Sequence, residues 1–170
     1  MKEKSMVKLL LEMMKNSRRS DRDLAKVLGV SQPTVTRTRQ RLEKEYIRTY
    51  TLVPLLDKIG YEIIAFTFFK SKSYEKNENE KMVNSAKEWC DKHANVIFAS
   101  EGEGLGKDAV FISLHRSYSS YADFMKQFSV DWANFAMDLQ SFLVSVKNGV
   151  EMKPFDLKYL AEDKAILEQL

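Results

Sequence analysis

The residue pattern predicts an α+β chain of two modules. Three observations predict it. Three short helical repeats fill the first 45 residues, apolar runs of strand length alternate with two longer helical repeats beyond residue 60, and the charge divides unequally between the halves. At 170 residues, 44% apolar and 30% charged, the chain suits modules of roughly 60 and 100 residues and is too short for a 250-residue barrel enzyme. The net charge of +3 conceals an asymmetry. Residues 1–50 hold 13 Lys/Arg against 6 Asp/Glu, net +7, and the remainder holds 14 against 18, net −4. A basic module joined to a mildly acidic one predicts that only the first meets a polyanion. The single cysteine, Cys90, excludes an internal disulfide and paired-cysteine zinc motifs. No apolar run reaches 18 residues, which predicts no membrane partner and a cytoplasmic location.

Met6, Leu9, Leu10 and Met13 fall at helical spacing and give a first helix, with Ser5 as its cap and Asn16 as its stop. Ser20 and Asp23 resemble a capping box ahead of Leu24, Ala25 and Leu28, and Gly29 ends that second helix. Ser31 caps a third, with Pro33 in its first turn and an end near Lys44. Two helices across a short glycine turn form a helix-turn-helix, whose second helix enters a DNA major groove. With Val35 and Leu42 buried, Pro33, Arg37, Gln40 and Lys44 point outward, flanked by Thr36 and Arg41. Arg matches guanine O6/N7, Gln matches adenine N6/N7, and Thr suits a base edge or a thymine methyl. The cap hydroxyls of Ser20 and Ser31, with Gln32 and Thr34 behind the second cap, are placed for phosphate oxygens. Tyr46–Val53, rich in β-formers and closed by Pro54, reads as a wing in which Arg48 and Tyr50 reach the backbone. These positions make a winged helix-turn-helix of residues 1–54.

The second module reads as strand Ile63–Lys70, helix Glu75–His93, strands Asn95–Ser100 and Ala109–Leu114 joined by a long loop over 101–108, a helix carrying Tyr121, Phe124, Met125, Phe128, Trp132 and Phe135, and strand Ser141–Lys147. That βαββαβ order is ferredoxin-like, with both helices on one face of an antiparallel sheet. Strands apolar on both faces then require a homodimer or higher oligomer to cover the other side. Gly102, Gly104 and Gly106 lie between two strands, so they read as hairpin glycines rather than a phosphate loop. His93 reads as a helix-terminus cation, His115 with Arg116 as the exposed end of the third strand, and Cys90 as a small core hydrophobe. The segment 151–170 carries Leu157, Leu160, Ala161, Leu167 and Leu170 at near-helical spacing. It can pack on its own chain or on a partner. No catalytic triad, paired-carboxylate site, cofactor motif or metal-ligand cluster stands out.

The run Asp23–Arg37 with Arg41-Leu42-Glu43-Lys44-Glu45-Tyr46-Ile47, and the segment Leu56-Asp57-Lys58-Ile59-Gly60-Tyr61, resemble the Lrp/AsnC (feast/famine) transcription regulators. Arg39 departs from the family pattern, which commonly has an apolar residue there. The resemblance implies a linker over 55–62, a ferredoxin-like dimerisation and effector domain over 63–150, and a helical tail over 151–170. It also implies sequence-specific binding of double-stranded DNA and a small effector, such as an amino acid, held near Gly104, Gly106 and Asp108. Siroheme decarboxylases resemble the same family and use His and Arg on propionate or acetate groups; His115 and Arg116 are the adjacent pair of that kind. The basic third helix favours a regulator over an enzyme, and a winged domain that meets protein instead of DNA is a third reading.

Overall fold

The structure, a computed structural model, describes residues 2–72, 76–163 and 165–166. The chain divides into two units, residues 1–53 together with 152–170, and residues 54–151. The tail therefore belongs with the first unit, where it folds against the first helix.

Three helices build the first unit: α1 (Lys2–Lys15), α2 (Asp21–Leu28) and α3 (Gln32–Glu45). Helix α1 begins at Lys2, so Ser5 lies within it rather than capping it. Ser20 caps α2 by accepting from Asp23 N–H, and Gly29 closes it at φ 65°, where a Cβ would be strained. The Asp23 carboxylate in turn accepts from the Ser20 hydroxyl at 2.6 Å. Ser31 caps α3 ahead of Pro33. Met6, Leu9, Met13, Leu24, Ala25, Val35 and Leu42 are buried together, with Leu10, Leu28, Val30 and Ile47 packed around them.

The expected wing is absent as a strand. Residues 47–55 run without regular structure into a short 3-10 turn, Leu56–Ile59. A strand exists only where a neighbour completes its ladder, and none of the described residues does so for this segment. β-Propensity alone cannot supply that neighbour.

Helix α1 carries a second apolar stripe beside the one that Met6, Leu9 and Met13 define. Val7 and Leu11 are buried with Ala161 of the 3-10 helix Leu157–Glu162, and Met14 and Ile166 pack on them. The tail is thus a 3-10 turn on α1, while Leu167 and Leu170 lie outside the described residues.

In the second unit β1 (Ile63–Ser71), α4 (Lys76–Lys92), β2 (Val96–Gly104), β3 (Lys107–His115), α5 (Tyr118–Asp131) and β4 (Ala136–Ser145) follow in βαββαβ order. Glu75, the expected start of α4, lies outside the described residues. The strands lie β2-β3-β1-β4, all neighbours antiparallel. Two boundaries differ from expectation by more than two residues. Strands β2 and β3 reach to Gly104 and back from Lys107, so the expected long loop is the two-residue turn Leu105–Gly106, both at positive φ (55° and 70°). That is the turn whose twist matches paired strands. Strand β4 starts at Ala136, five residues earlier than expected, because α5 stops at Asp131 and Phe135 falls in the connecting turn. Phe69, Phe111, Phe128 and Trp132 are buried with Met82 and Ala136 between the sheet and the two helices. The opposite sheet face is apolar too: the register sets Ile64, Phe66 and Phe68 beside Leu114, Ile112 and Val110, and Ile64 and Phe66 beside Val144 and Phe142. Phe142 is 68% exposed and Phe98 50%.

Candidate DNA-reading helix

Helix α3 divides as the spacing predicts. Val35 and Leu42 are each 1% exposed, whereas Gln32, Pro33, Thr34, Arg37, Gln40, Arg41 and Lys44 lie on the other side, partly or fully exposed. The first turn of α3 holds no acidic residue, so its amides and the Ser31 hydroxyl present a positive end. The N-terminus of α2 differs. Asp21 and Asp23 occupy its first turn and the Ser20 hydroxyl is bonded to Asp23, so this cap already faces its own carboxylates. Ser31 shares a hydrogen bond with the Thr34 hydroxyl at 2.8 Å.

Not every cation on α3 is available. Arg39 turns inward: its Nε donates to Asp21 Oδ1 at 2.7 Å and its Nη2 to the Arg19 carbonyl at 3.1 Å. Its side chain is 17% exposed. Arg19 in turn pairs with Glu12 of α1 at 2.5 Å. Thr36, at the helix flank, donates its hydroxyl to Asp21 Oδ2 at 2.6 Å. One carboxylate thus fastens two residues of α3, and the polar chain Glu12–Arg19–Arg39–Asp21–Thr36 ties all three helices together. An apolar residue at 39 would pack this seam; the arginine replaces that packing with a charge-assisted bond. Arg41 lies along Glu45 at 2.9 Å, an exposed i,i+4 pair that adds little stability. Arg37 donates Nε to the Pro33 carbonyl at 3.3 Å, leaving its other donors free. Arg48 is exposed. Tyr50 folds back, its hydroxyl donating to Glu43 Oε1 at 2.9 Å, rather than reaching away from the helix.

The Thr36 hydrogen bond, then that of Arg39 with its positive charge, holds the Asp21 carboxyl below the ordinary carboxylate range. A depressed folded-state pKa contributes stability that is complete above the unfolded value and lost as pH falls through the folded one. The first unit should therefore lose this contribution below about pH 4. Asp21→Asn should be less stable than the parent at neutral pH and show a flatter acid limb, read by far-UV circular dichroism in urea at a series of pH values. Equal slopes for the two proteins would refute the Asp21 linkage.

In the second unit, His115 is not an exposed strand end. It is 3% exposed, bonded through Nε2 to the Ser113 hydroxyl at 2.8 Å and packed on Tyr121 and Phe124. Burial pushes its pKa down. Arg116 is exposed and lies over the Tyr61 ring, so the two do not present a joint His/Arg site. His115 is the last residue of β3, whereas Arg116 lies just past the strand. His93 Nδ1 lies 2.7 Å from the Trp89 carbonyl, just past the last turn of α4. Cys90 is half-buried, with its thiol pKa raised by burial. Asp108 accepts from the Ser71 amide at 2.9 Å, pinning the end of β1, while Gly104 and Gly106 flank the Leu105 tip. No group of three or more metal-ligating side chains occurs among the described residues, and no helix among them is long and apolar enough to cross a membrane.

A family profile described as the AsnC-type helix-turn-helix domain matches residues 7–43. The chain carries an AsnC-type helix-turn-helix. The matched span runs from the middle of α1 to Glu43, so it takes in both caps and most of the outward face of α3. Solved structures share the fold over both units. The transcriptional regulator NMB0573 in complex with L-Met from Neisseria meningitidis is similar at 16% identity and a TM-score of 0.73, over 89% of this chain and 92% of that one. An AsnC family transcriptional regulator from Agrobacterium tumefaciens is similar at 18% identity and a TM-score of 0.70, over 92% and 97%. AsnC of E. coli is similar at 18% and 0.68, over 89% and 95%. No curated protein sequence matches the chain. The AsnC-type helices and the βαββαβ sheet together are thus the architecture of Lrp/AsnC regulators.

Proposed function

We propose that the chain is a sequence-specific, DNA-binding transcription regulator that acts as a homodimer and reads duplex DNA with α3. The observation that carries this is the division of α3 into a buried Val35/Leu42 face and an outward Arg37/Gln40/Lys44 face within and just beyond the AsnC-type domain. Arg37 and Gln40 contact base edges; Lys44, Arg48, and Ser31 with Gln32 and Thr34 at the α3 N-terminus meet phosphates. Arg41 joins them by releasing Glu45, and Ser20 by releasing Asp23. The apolar sheet face, with Phe142 and Phe98 exposed, supports pairing with a second copy, which sets two reading helices on successive major grooves. A small effector held at the hairpin tip, near Gly104, Gly106 and Asp108, alters that assembly; the similar regulator of Neisseria meningitidis forms a complex with L-Met, which supports an amino acid in that role.

Gel shifts and footprinting with genomic fragments, including the protein's own promoter, test the reading. Arg37→Ala and Gln40→Ala should each weaken the selected site about 5- to 150-fold, the worth of one bidentate base contact. Lys44→Ala should weaken all duplexes alike and reduce the slope of log K against log salt by about 0.9. Unchanged affinity in both α3 variants would remove the assignment of α3, and a flat salt dependence would favour a protein partner.

A further inference from the structure

The N-terminal half of α3 bears an open depression lined by Gln32, Pro33, Thr36 and Arg37. Three of these liners are arranged so that little polarity is turned toward it. The Thr36 hydroxyl has one proton, and that proton is directed to Asp21 Oδ2 at 2.6 Å, with the Gln32 carbonyl at 3.2 Å as a second acceptor. The proton is therefore engaged, which leaves the γ-methyl as the apolar group that Thr36 can offer a ligand. Pro33 has no amide proton and presents an apolar ring. Arg37 bends back to the Pro33 carbonyl through Nε, and its terminal N–H groups are left to donate elsewhere.

We propose that this depression is the seat of a thymine 5-methyl group, and that Asp21 is the positioning residue that makes it so by drawing the Thr36 hydroxyl away. The inference rests on the DNA-binding reading above and refines it. Among the four bases, only thymine offers a methyl group in the major groove. A free threonine hydroxyl would accept or donate to several base edges and discriminate poorly. With the hydroxyl engaged by Asp21, the same residue reads shape and apolarity. The terminal N–H groups of Arg37 then fall beside the thymine, where they reach the neighbouring base.

The test uses the full-length protein and a duplex carrying the site that it protects in footprinting, with each thymine replaced in turn by deoxyuridine. One thymine in each half-site should respond, with affinity falling about fourfold, the worth of one methyl group removed from water. Thr36→Val, which keeps a methyl and lacks the hydroxyl, should retain that preference for thymine over uracil. Thr36→Ser, which keeps the hydroxyl for Asp21 and lacks the methyl, should lose it. Circular dichroism of both variants confirms folding. Tight binding with no response to deoxyuridine at any thymine would overturn the methyl assignment and leave the DNA-reading function standing. Loss of the preference in Thr36→Val would also overturn it, by showing that the hydroxyl is what is read. Failure of the parent protein to protect any duplex would overturn both.

Discussion

Phe142→Asp is expected to separate the proposed dimer into single chains. Phe142 lies on the edge strand β4 directly opposite Phe66 of β1, which in turn opposes Ile112 of β3, so the position continues the apolar sheet face to its β4 edge. In a two-fold interface each copy contributes the same patch, and one substitution places two carboxylates in the contact. Each would be buried without a partner, a cost of several kcal/mol unless the group takes up a proton. Dissociation should become at least about a hundredfold easier, and sedimentation should show the mass of one 19.7 kDa chain. The fold itself should persist, because Phe142 is 68% exposed within the chain and the aromatic core lies on the other face. DNA affinity should fall with it, since two linked heads bind far more tightly than one. A variant that stays dimeric would show that the sheet face is not the contact.

Deleting residues 152–170 is expected to destabilise the three-helix unit while sparing the sheet unit. Val7 and Leu11 of α1 are 3% and 5% exposed, with Ala161 and Ile166 packed on them. Exposing two such side chains costs about 3 kcal/mol, a large share of the stability of a small three-helix domain. Both tryptophans, Trp89 and Trp132, belong to the sheet unit and report on it alone, whereas the helical signal combines α1–α3 with α4 and α5 of the sheet unit. Urea titration should show part of the helical signal melting earlier in the truncated protein and the tryptophan signal melting at its original midpoint. Leu11→Ala in the full-length chain should reproduce part of the loss, roughly 2 kcal/mol or more. Coincident midpoints in parent and truncated proteins would mean that the tail contributes nothing to the helices. The pairing also has a topological consequence. The three-helix unit is built from residues 1–53 and 152–170, so the chain crosses between the two units twice.

Much of this was legible in the residues. Periodicity located α1, α2 and α3 because a short amphipathic helix has to bury one stripe, and Ser20, Gly29 and Ser31 marked their ends because unsatisfied amides and a left-handed turn need those residue types. Val35 and Leu42 fixed which face of α3 turns outward, and strand and helix alternation dictated the βαββαβ order. These are local rules, and one sequence suffices to apply them. Decisions that required a second, distant group were not legible. Arg39 belongs to the seam rather than the reading face because Asp21, 18 positions earlier, accepts its guanidinium; Thr36 is half withdrawn for the same reason. Tyr46–Val53 has the composition of a strand and no ladder to join among the described residues, and Glu101 and Gly104 lie in a segment without strand composition yet pair with Ala109 and Lys107 because the Leu105–Gly106 turn brings the two sides together. His115 is hidden by the aromatic rings of α5, which no neighbouring residue in the sequence announces. The stripe Val7, Leu11 and Met14 is visible on a helical wheel, but its occupant lies 150 residues or more away, Leu11 to Ala161, and only the tertiary structure brings the tail to it. The sequence by itself determined the elements and their outward chemistry, because backbone propensity and amphipathic spacing act over a few residues. The tertiary structure decided which charges remain free to meet a ligand, because a charge is free only when no group folded against it has already taken it.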